Sequence, residues 1–259
     1  MSEKKPSLWI RIYSFFVYGF IYAPILILII FSFNTQKLNI HWEGFTLHWY
    51  NVLFADKQIF LATRNTLMIA LVSTIVATII GTLAALAMHR YRFPLYTASE
   101  TVMYIPIVIP EVVMGISLLV FFVMVKSTLG LTTITLSHIA FNIPFVALVV
   151  RARLHGYDKA IDEAAMDLGA NELTTFRRIT LPTIMPGVLS GAMLALTLSL
   201  DDYVITYFTA GPGSTTLPLR VFSMVKTAVT PEINALSTLW VMIIFILLVI
   251  GQIAQRRKV

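Results

Sequence analysis

The sequence predicts an all-α integral membrane protein with six transmembrane helices, and three observations lead to this prediction. Hydrophobic residues make up 58% of the 259 residues and charged residues only 12%, whereas a soluble domain carries about twice that charged share. The mean hydropathy is +0.82 at a mass of 29.0 kDa, and a water-soluble core of this size cannot hide so much apolar surface. Long uncharged segments alternate with short polar ones. We therefore expect the apolar residues to be buried in lipid.

Six segments of the chain are long enough to cross a membrane. A helix that crosses a hydrocarbon core of about 30 Å needs roughly 20 mainly apolar residues. The predicted spans are 11–33, 63–88, 100–124, 130–150, 187–209 and 233–254. Together they are predicted to form one transmembrane domain over residues 1–259.

The first span follows basic residues and so begins like a signal peptide. Its apolar stretch is longer than the roughly 7–15 residues of a signal peptide, and no small-x-small cleavage site follows it. We therefore expect this helix to remain in the protein. The outer loop after it, 34–61, contains Trp42, Trp49 and Tyr50, aromatic residues typical of the membrane interface or of a contact with an external partner.

The third span contains two prolines and is predicted to be broken. Pro110 at a helix start would place Glu111 in the first turn of a second half-helix. Irregular backbone at membrane depth is tolerated only beside a cavity or within protein. The fourth span contains His138, which we interpret as a packing histidine with satisfied hydrogen bonds.

The distribution of basic residues predicts the orientation. Of the 19 Lys and Arg residues, 13 fall in the segments that six spans would place on one side, together with both termini. The positive-inside rule places that side in the cytoplasm. The basic isoelectric point then reflects topology, and the scattered charges give no support to nucleic-acid binding.

The cytoplasmic loop 151–186 is long, polar and predicted to be helical. Asp158 is a candidate N-cap, and Gly169 stands where a left-handed residue would end the first helix. An apolar stripe at helical spacing runs between them: Ile161, Ala164, Ala165 and Leu168. Asn171 is expected to cap a second short helix that Pro182 would stop.

Two interpretations of this helix–turn–helix follow from the residues alone. Its small alanines would let the surface of another protein approach closely. Alternatively, the two helices lie on the lipid headgroups, with Arg177 and Arg178 facing anionic lipid.

The order of residues in this loop favours the protein contact. Glu163-Ala164-Ala165, three residues, Gly169, nine residues and then Ile179-x-Leu181-Pro182 resemble the complete EAA signature of permease subunits of ABC importers. The resemblance implies that the loop forms a coupling helix that sits in a groove of a cytoplasmic ATPase. The residues implied in this contact are Glu163, Ala164, Ala165, Asp167, Leu168, Gly169, Ile179, Leu181 and Pro182.

Further motifs extend the resemblance over nearly the whole chain. They are Tyr22-Ala-Pro, Ser32-Phe-Asn, Thr46-x-x-Trp-Tyr, Ser199-Leu-Asp-Asp, Gly211-Pro-Gly, Leu217-Pro and Pro231-Glu-Ile-Asn-Ala-Leu. In these motifs the chain resembles the spermidine and putrescine permeases. The resemblance implies a type I ABC importer with a MetI-like permease fold, located in the bacterial inner membrane. It also implies four partners in the assembly: a homologous second permease subunit (PotB-like), two ATPase subunits (PotA-like) and an extracytoplasmic polyamine-binding protein (PotD-like).

The chain has none of the motifs that ATP or a metal would need. It contains no Gly-x-x-x-x-Gly-Lys-Ser/Thr and no Gly-Lys pair, so ATP and Mg are expected on the partner ATPase. No two of the five histidines have the spacing of metal ligands on a helix, and no Cys is present. We therefore expect a transport subunit that is not itself an enzyme, without a bound cofactor or metal.

Three acidic residues lie within the predicted spans: Glu111, Asp201 and Asp202. Carboxylates at membrane depth usually face a pore or a partner, and here the spans are the one region with net negative charge. We expect a path for a cationic substrate.

The neighbours of these acids divide into two faces of the fifth span. Ser199 and Thr206 share a polar stripe with Asp202, whereas Asp201 lies on another face and can bond a neighbouring helix. Tyr203 and Tyr207 are one turn apart and can offer ring faces to an alkylammonium. The alternative for the aspartates is a structural hydrogen-bond network or a gate against the second permease subunit.

Two other functions remain open at this point. Membrane carboxylates also form proton relays, so a proton-coupled secondary carrier is one alternative. The other is an ABC importer with a different small solute, because related permeases for sulfate, ferric ions or thiamine resemble one another in the EAA loop. Three acids in the path would repel sulfate.

Overall fold

The computed structural model describes residues 7–37, 41–92, 94–227 and 230–256, and within these the chain is almost entirely helical. In the last helix the side chains at 244 and 247–256 lie outside the description. The helices, in chain order, are α1 (Leu8–Phe31), α2 (His48–Ala55), α3 (Lys57–Arg90), α4 (Tyr96–Val108), α5 (Glu111–Met124), α6 (Leu131–Leu154), α7 (Ala160–Asp167), α8 (Glu172–Thr175), α9 (Leu181–Asp201), α10 (Val204–Thr209), α11 (Leu217–Thr227) and α12 (Pro231–Arg256). This confirms the all-α class.

Several of these helices have the length and hydropathy of membrane spans. Among the described residues they are Leu8–Phe31, Lys57–Arg90, Leu131–Leu154 and the continuous run Glu172–Asp201, with the bent pair α4 and α5 as a fifth. The sixth predicted span, 233–254, falls within α12, where part of the side chains is outside the description. Residues 1–6 and 257–259 are also outside it. The count of six spans, the single domain and the cytoplasmic position of both termini stay predictions.

The chain divides into two units, which are described separately. One unit contains residues 1–60 and 221–259, and the other contains residues 61–220. In the first unit, hydrogen bonds of Asn34 stabilise the segment after α1. The Asn34 side chain is fully buried, and its Nδ2 donates to His41 O at 2.8 Å. The Trp49 indole donates to the main-chain oxygen of Asn34 at 2.8 Å.

In the second unit, α6 packs along α9, and α3 approaches both. Val146 of α6 is fully buried at this contact. A Cβ on Gly81 of α3 would lie 2.9 Å from Val146 Cβ, and one on Gly191 of α9 would lie 3.2 Å from Val146 Cγ1. Small residues let transmembrane backbones approach closely where lipid removes the hydrophobic drive for association. The backbones of α3 and α9, which carry candidate functional side chains, therefore pack closely against α6.

The third span is broken where the sequence predicts. Pro110 is the N-cap of α5, Glu111 is its first residue, and α4 and α5 meet at an angle of 112°. Pro110 lacks a backbone N–H and clashes with a preceding helical turn, so the helix restarts there. The exposed Glu111 side chain stands at this new N-terminus.

Two of the three caps predicted in the loop 151–186 are confirmed. Gly169 adopts a left-handed φ of +91° after Leu168, the C-cap of α7, and the Asn171 side chain accepts a hydrogen bond from the Thr174 backbone N–H at the start of α8. The third differs, because the N-cap of α7 is Lys159; Asp158, one residue earlier, accepts a hydrogen bond from the Ala160 backbone N–H at 2.9 Å. As far as α8, the loop therefore has the predicted helix–turn–helix structure.

The prediction that Pro182 stops the second helix is wrong. A π-helical turn over Phe176–Thr180 follows α8 and continues directly into α9, which has Pro182 in its first turn. Proline is tolerated in the first turn of a helix because its missing N–H would have no partner there. The wider π-turn gives α9 such a start, so α8 and the fifth span form one continuous run.

Candidate functional site

The fifth span is interrupted at Asp202, which joins its two halves. Helix α9 ends at Asp201, Asp202 has an extended backbone with ψ 119°, and α10 begins at Val204. The Asp202 carboxylate accepts hydrogen bonds from the backbone N–H of Ile205 at 3.2 Å and of Thr206 at 2.8 Å. It therefore caps α10, a helix of six residues that has few internal bonds of its own.

His138 of α6 contacts both halves of this broken span. Its Nδ1 lies 2.6 Å from Ser199 Oγ on α9. Its Nε2 lies 3.1 Å from Asp202 Oδ2 and 2.9 Å from Thr206 Oγ1 on α10. The Ser199 hydroxyl also lies 3.1 Å from Ser73 Oγ on α3. We call these five side chains, which join α3, α6, α9 and α10, the His138 network.

All members of the His138 network are buried. The exposed fraction is 3% for His138, 9% for Asp202 and zero for Thr206. A proton on Nε2 fits the partners, because the Asp202 carboxylate can accept from Nε2 and the Ser199 hydroxyl can donate to Nδ1. Every polar atom of the ring then has a partner.

Asp201 is the next residue along the chain but lies in a different environment. Its side chain is exposed, as is that of Glu111 at the start of α5. The Glu111 carboxylate interacts electrostatically with both aspartates. The two exposed acids therefore belong to one negatively charged region of the second unit.

The aromatic pair predicted beside these acids is also brought together. The rings of Tyr203 and Tyr207 have centroids 5.7 Å apart, and Tyr207 is 57% exposed. Helix α5 packs against α10, with Gly115 directly opposite the Phe208 ring. The start of α5, which carries Glu111, is thereby held near the broken end of the fifth span.

The structure thus separates the predicted pathway residues into two groups. Asp201, Glu111 and Tyr207 are exposed and Tyr203 is half-buried, whereas Ser199, Asp202 and Thr206 are buried and bonded to His138. The bond to a neighbouring helix that the sequence suggested for Asp201 is made by Asp202 instead. For Asp202 this geometry matches the alternative of a structural hydrogen-bond network.

Most of the predicted coupling residues lie at the surface of the loop 151–186. Leu168, directly before the left-handed Gly169, is 90% exposed. Glu163, Ala164, Asp167 and Pro182 are exposed, Ile179 and Leu181 are half-buried, and Ala165 is buried. An apolar surface is left uncovered on this loop, formed by Ile161, Met166, Leu168 and Leu173.

Beneath this surface, Asp162 joins the loop to two spans. Its carboxylate accepts from the Arg90 guanidinium of α3 at 2.6 Å and from Thr180 Oγ1 of the π-turn at 2.9 Å. The Tyr157 hydroxyl donates a further hydrogen bond to it. We call these four residues the Asp162 cluster. Burial and the bond to Asp162 raise the pKa of Tyr157 above its ordinary value, so the phenol remains a donor at neutral pH.

A second ion pair lies at the same end of the unit. Arg151 of α6 contacts Glu100 of α4 at 2.5 Å and donates to Tyr104 OH at 3.0 Å. It links the first half of the broken third span to α6. Among the described residues, no group of three His, Asp or Glu side chains has the arrangement of a metal site.

Sequence reasoning missed the His138 network and the Asp162 cluster. For His138 a signal was present, since an imidazole at membrane depth must have partners and the nearest polar stripe was that of Ser199 and Asp202. For Asp162 the signal was weaker. An acid on the face of α7 opposite its exposed residues needs a cation, and Arg90 is the last residue of the long helix α3.

Comparisons with known proteins define the class. Residues 77–257 match the family described as "Binding-protein-dependent transport system inner membrane component". The chain therefore belongs to this family of inner-membrane permease subunits of ABC importers.

Curated relatives narrow the group within this family. The chain is 41% identical over 242 residues to the "Spermidine/putrescine transport system permease protein PotC" of Escherichia coli K12, which covers 93% of this chain and 92% of that protein. It is 45% identical over 229 residues to the "Putrescine transport system permease protein PotI" of the same organism, which covers 86% of this chain and 82% of that protein.

Solved structures share the fold at low sequence identity. A bacterial ABC transporter involved in the import of alginate matches with a TM-score of 0.71 at 14% identity, over 98% of this chain and 99% of that chain. The inward-facing MetNI methionine ABC transporter matches with a TM-score of 0.61 at 20% identity, over 78% of this chain and 96% of that chain. These matches confirm the MetI-like permease fold.

Proposed function

We propose that this chain is one of two permease subunits of an ATP-driven importer that carries spermidine or putrescine into the cell. The partners in this proposal are a PotB-like permease, two PotA-like ATPases that bind ATP and Mg, and a PotD-like extracytoplasmic binding protein. The similarity to two polyamine permeases over most of the chain supports the cargo.

The geometric observation that carries the proposal is the pair of exposed acids at two helix breaks. Asp201 ends α9, Glu111 begins α5, and α5 packs against α10 directly beyond the break. A polyamine is a flexible chain of ammonium groups, so successive carboxylates along a path can bind it without holding it tightly. Tyr207 adds an exposed ring face for an alkylammonium, worth about 1–2 kcal/mol when desolvated.

The test is uptake by the reconstituted importer. The four-component complex is placed in proteoliposomes, and ATP-dependent uptake of radiolabelled spermidine and putrescine is measured for the wild type, Asp201→Asn and Glu111→Gln. We expect each variant to lower kcat/KM for the polyamine at least about tenfold, because a charge-assisted contact contributes roughly 1.5–3 kcal/mol.

Charge-retaining variants are the matched controls. Asp201→Glu and Glu111→Asp keep the carboxylate and should retain most of the uptake if charge is what the substrate recognises. Unchanged uptake in both neutral variants, with normal assembly of the complex, would refute the acidic path. Uptake that continues without ATP and collapses with an uncoupler would instead establish a proton-coupled carrier.

The coupling part of the proposal rests on the exposed face of α7. In it, Ala164 and the uncovered Leu168 enter a groove of the ATPase, and closure of the two ATPases moves α7. Because Ala164 is exposed in the isolated chain, Ala164→Leu should leave folding unchanged. We expect it to weaken co-purification of the ATPase and to reduce transport.

An equally exposed alanine of α6 supplies the control, since Ala152→Leu adds the same volume outside α7. Normal retention of the ATPase and normal transport in Ala164→Leu would contradict the assignment of α7 as the docking helix.

A further inference from the structure

We propose that His138 is a positioning residue that clamps the two halves of the fifth span together, so that Asp201 and not Asp202 presents its carboxylate to the substrate. This inference rests on the proposed function and goes beyond it, because it assigns opposite roles to two neighbouring aspartates. It also assigns a role in transport geometry to a histidine that does not itself touch the substrate.

The first argument is the span of the imidazole ring. Its two nitrogens bond to opposite sides of the break, with Nδ1 2.6 Å from Ser199 on α9 and Nε2 3.1 Å from Asp202 and 2.9 Å from Thr206 on the α10 side. A single rigid side chain thus fixes the distance between the last turn of one half-helix and the first turn of the next. The serine and threonine side chains of the network each have a single polar atom, so none of them can fix this distance in the same way.

The second argument is that the Asp202 carboxylate is buried and already accepts four hydrogen bonds. Oδ2 receives the backbone N–H of Thr206 at 2.8 Å, the hydroxyl of Thr206 at 2.7 Å and the Nε2 of His138 at 3.1 Å, while Oδ1 receives the backbone N–H of Ile205 at 3.2 Å. The side chain is only 9% exposed. An ammonium ion would have to enter this buried site, whose bonds define the break, so Asp202 serves the backbone and not the cargo.

The third argument concerns the direction of Asp201. Consecutive residues of a continuous helix are separated by about 100° around its axis, but Asp202 leaves the helix with an extended backbone. Asp202 is fixed inward by its bond to His138, whereas Asp201, the last residue of α9, has an exposed side chain. Loosening the clamp would free the turn between them, and Asp201 would lose its fixed position near Glu111.

The chain contains no Cys, which allows a test that does not depend on the cargo. Single cysteines at 201 and 199 are labelled with a cationic methanethiosulfonate reagent in the assembled importer. We expect Asp201→Cys to react at least about tenfold faster than Ser199→Cys, because a buried thiol is shielded from a charged reagent. Adding His138→Ala to the Asp201→Cys protein should change its labelling rate at least about threefold, because the turn is no longer fixed.

Transport kinetics supply the second readout. His138→Ala should raise KM for the polyamine by about tenfold with a smaller change in kcat, because the misplaced Asp201 weakens binding. His138→Gln places an amide nitrogen where Nε2 stands but gives up the bond of Nδ1 to Ser199, so it should leave KM raised by about three- to fivefold, between the wild type and His138→Ala. A purely structural histidine would lower the amount of assembled importer without this selective change in KM.

Three results would overturn the proposal. They are equal labelling at 201 and 199, a labelling rate at 201 that His138→Ala leaves unchanged, and an unchanged KM in His138→Ala. If His138→Ala does not assemble, Ser199→Ala replaces it, since it removes the bond of His138 to α9, together with the bond of Ser199 to Ser73 on α3. An assembled Ser199→Ala importer with wild-type KM and wild-type labelling at 201 would overturn the clamp equally. If the labelling follows the prediction but no polyamine is transported, the cargo assignment has failed and the clamp has not.

Discussion

The Asp162→Asn substitution should disconnect the cytoplasmic loop from the spans that it is proposed to move. Asp162 is 7% exposed and bonds Arg90, Thr180 and Tyr157, which belong to three different segments. Asparagine keeps the shape and one acceptor oxygen, but it removes the negative charge and turns an N–H₂ group towards one of these donors. The substitution therefore tests the charge without creating a cavity.

The magnitude follows from the burial of the ion pair. Removing one partner of a buried pair costs about 3–5 kcal/mol, whereas an exposed pair contributes about 0–1 kcal/mol. The side chains of Arg90 and Asp162 are 28% and 10% exposed, so Arg90 retains part of its hydration when the charge is lost. We expect a local cost of about 2–3 kcal/mol, because a hydrogen bond to a charged group contributes about 1.5–3 kcal/mol.

This cost should appear as local opening of the loop and not as global unfolding. Hydrogen exchange of the α7 amides, measured on the purified importer, should speed up by about 30- to 150-fold, the equivalent of that free energy. Amides of α6 should keep their exchange rates. Stimulation of ATP hydrolysis by the loaded binding protein should fall, because a loosened loop transmits less of the movement between the spans and the ATPases.

Glu100→Gln is the matched control for this experiment. It breaks the ion pair between Glu100 and Arg151, which lies at the same end of the unit but outside the loop. The side chains of Arg151 and Glu100 are 22% and 30% exposed. The substitution should leave exchange in α7 unchanged. If Asp162→Asn and Glu100→Gln give the same exchange in α7, or if Asp162→Asn leaves the coupled ATPase activity at the wild-type level, the Asp162 cluster does not connect the loop to the spans.

Substitutions at three glycines give further predictions. Gly169→Ala should cost about 1–2 kcal/mol in local stability because φ is +91°; no atom lies within 4 Å of the added Cβ, so the importer should still assemble. Gly169→Asp adds a charge to the proposed docking face and should abolish retention of the ATPase in a pull-down experiment. Retention at the wild-type level would contradict this prediction. Gly211→Ala should prevent stable folding, because its Cβ would lie 1.9 Å from Leu129 O. The control in the same loop is Gly213→Ala, which meets no atom within 4 Å and should cost only the about 1–2 kcal/mol of its left-handed φ of +78°; equal thermal stability of the two variants would refute the close approach. Gly115→Ala should lower thermal stability by roughly 1–3 kcal/mol, because its Cβ would lie 2.7 Å from the Phe208 ring, and an unchanged melting temperature would show that the ring moves aside freely.

The features that could be predicted from the sequence are those determined by neighbouring residues. Pro110 restarts a helix because it has no N–H, wherever the rest of the chain lies. Gly169 and Asn171 end and begin helices through their own backbone and side-chain bonds. Hydropathy located the apolar helices for the same reason, since the cost of placing a polar side chain in lipid depends on the residue itself.

The features that could not be predicted depend on partners distant in sequence. Nothing local distinguishes Asp201 from Asp202, and helical spacing placed Asp202 on an open polar stripe. Its burial is decided by His138, which lies 64 residues earlier in the chain. Pro182 is a second example. A proline by itself favours the end of a helix, but the π-turn Phe176–Thr180 before it places Pro182 in the first turn of α9.

The two helix breaks also bear on the charge of the cargo. In transporters with broken helices, the free N-terminus of a half-helix carries partial positive charge and commonly faces an anionic group of the substrate. Here a carboxylate of the chain itself stands at each such end: Glu111 is the first residue of α5, and Asp202 accepts hydrogen bonds from the N–H groups of α10. The positive helix ends therefore lower the cost of placing acids at these positions, and the negative charge of the acids disfavours an anion there. What remains exposed is the negative charge of Glu111 and Asp201, which disfavours sulfate and favours a cation. An importer of this fold for an anion would need these helix ends free, so neutralising both acids should weaken polyamine uptake without creating uptake of sulfate.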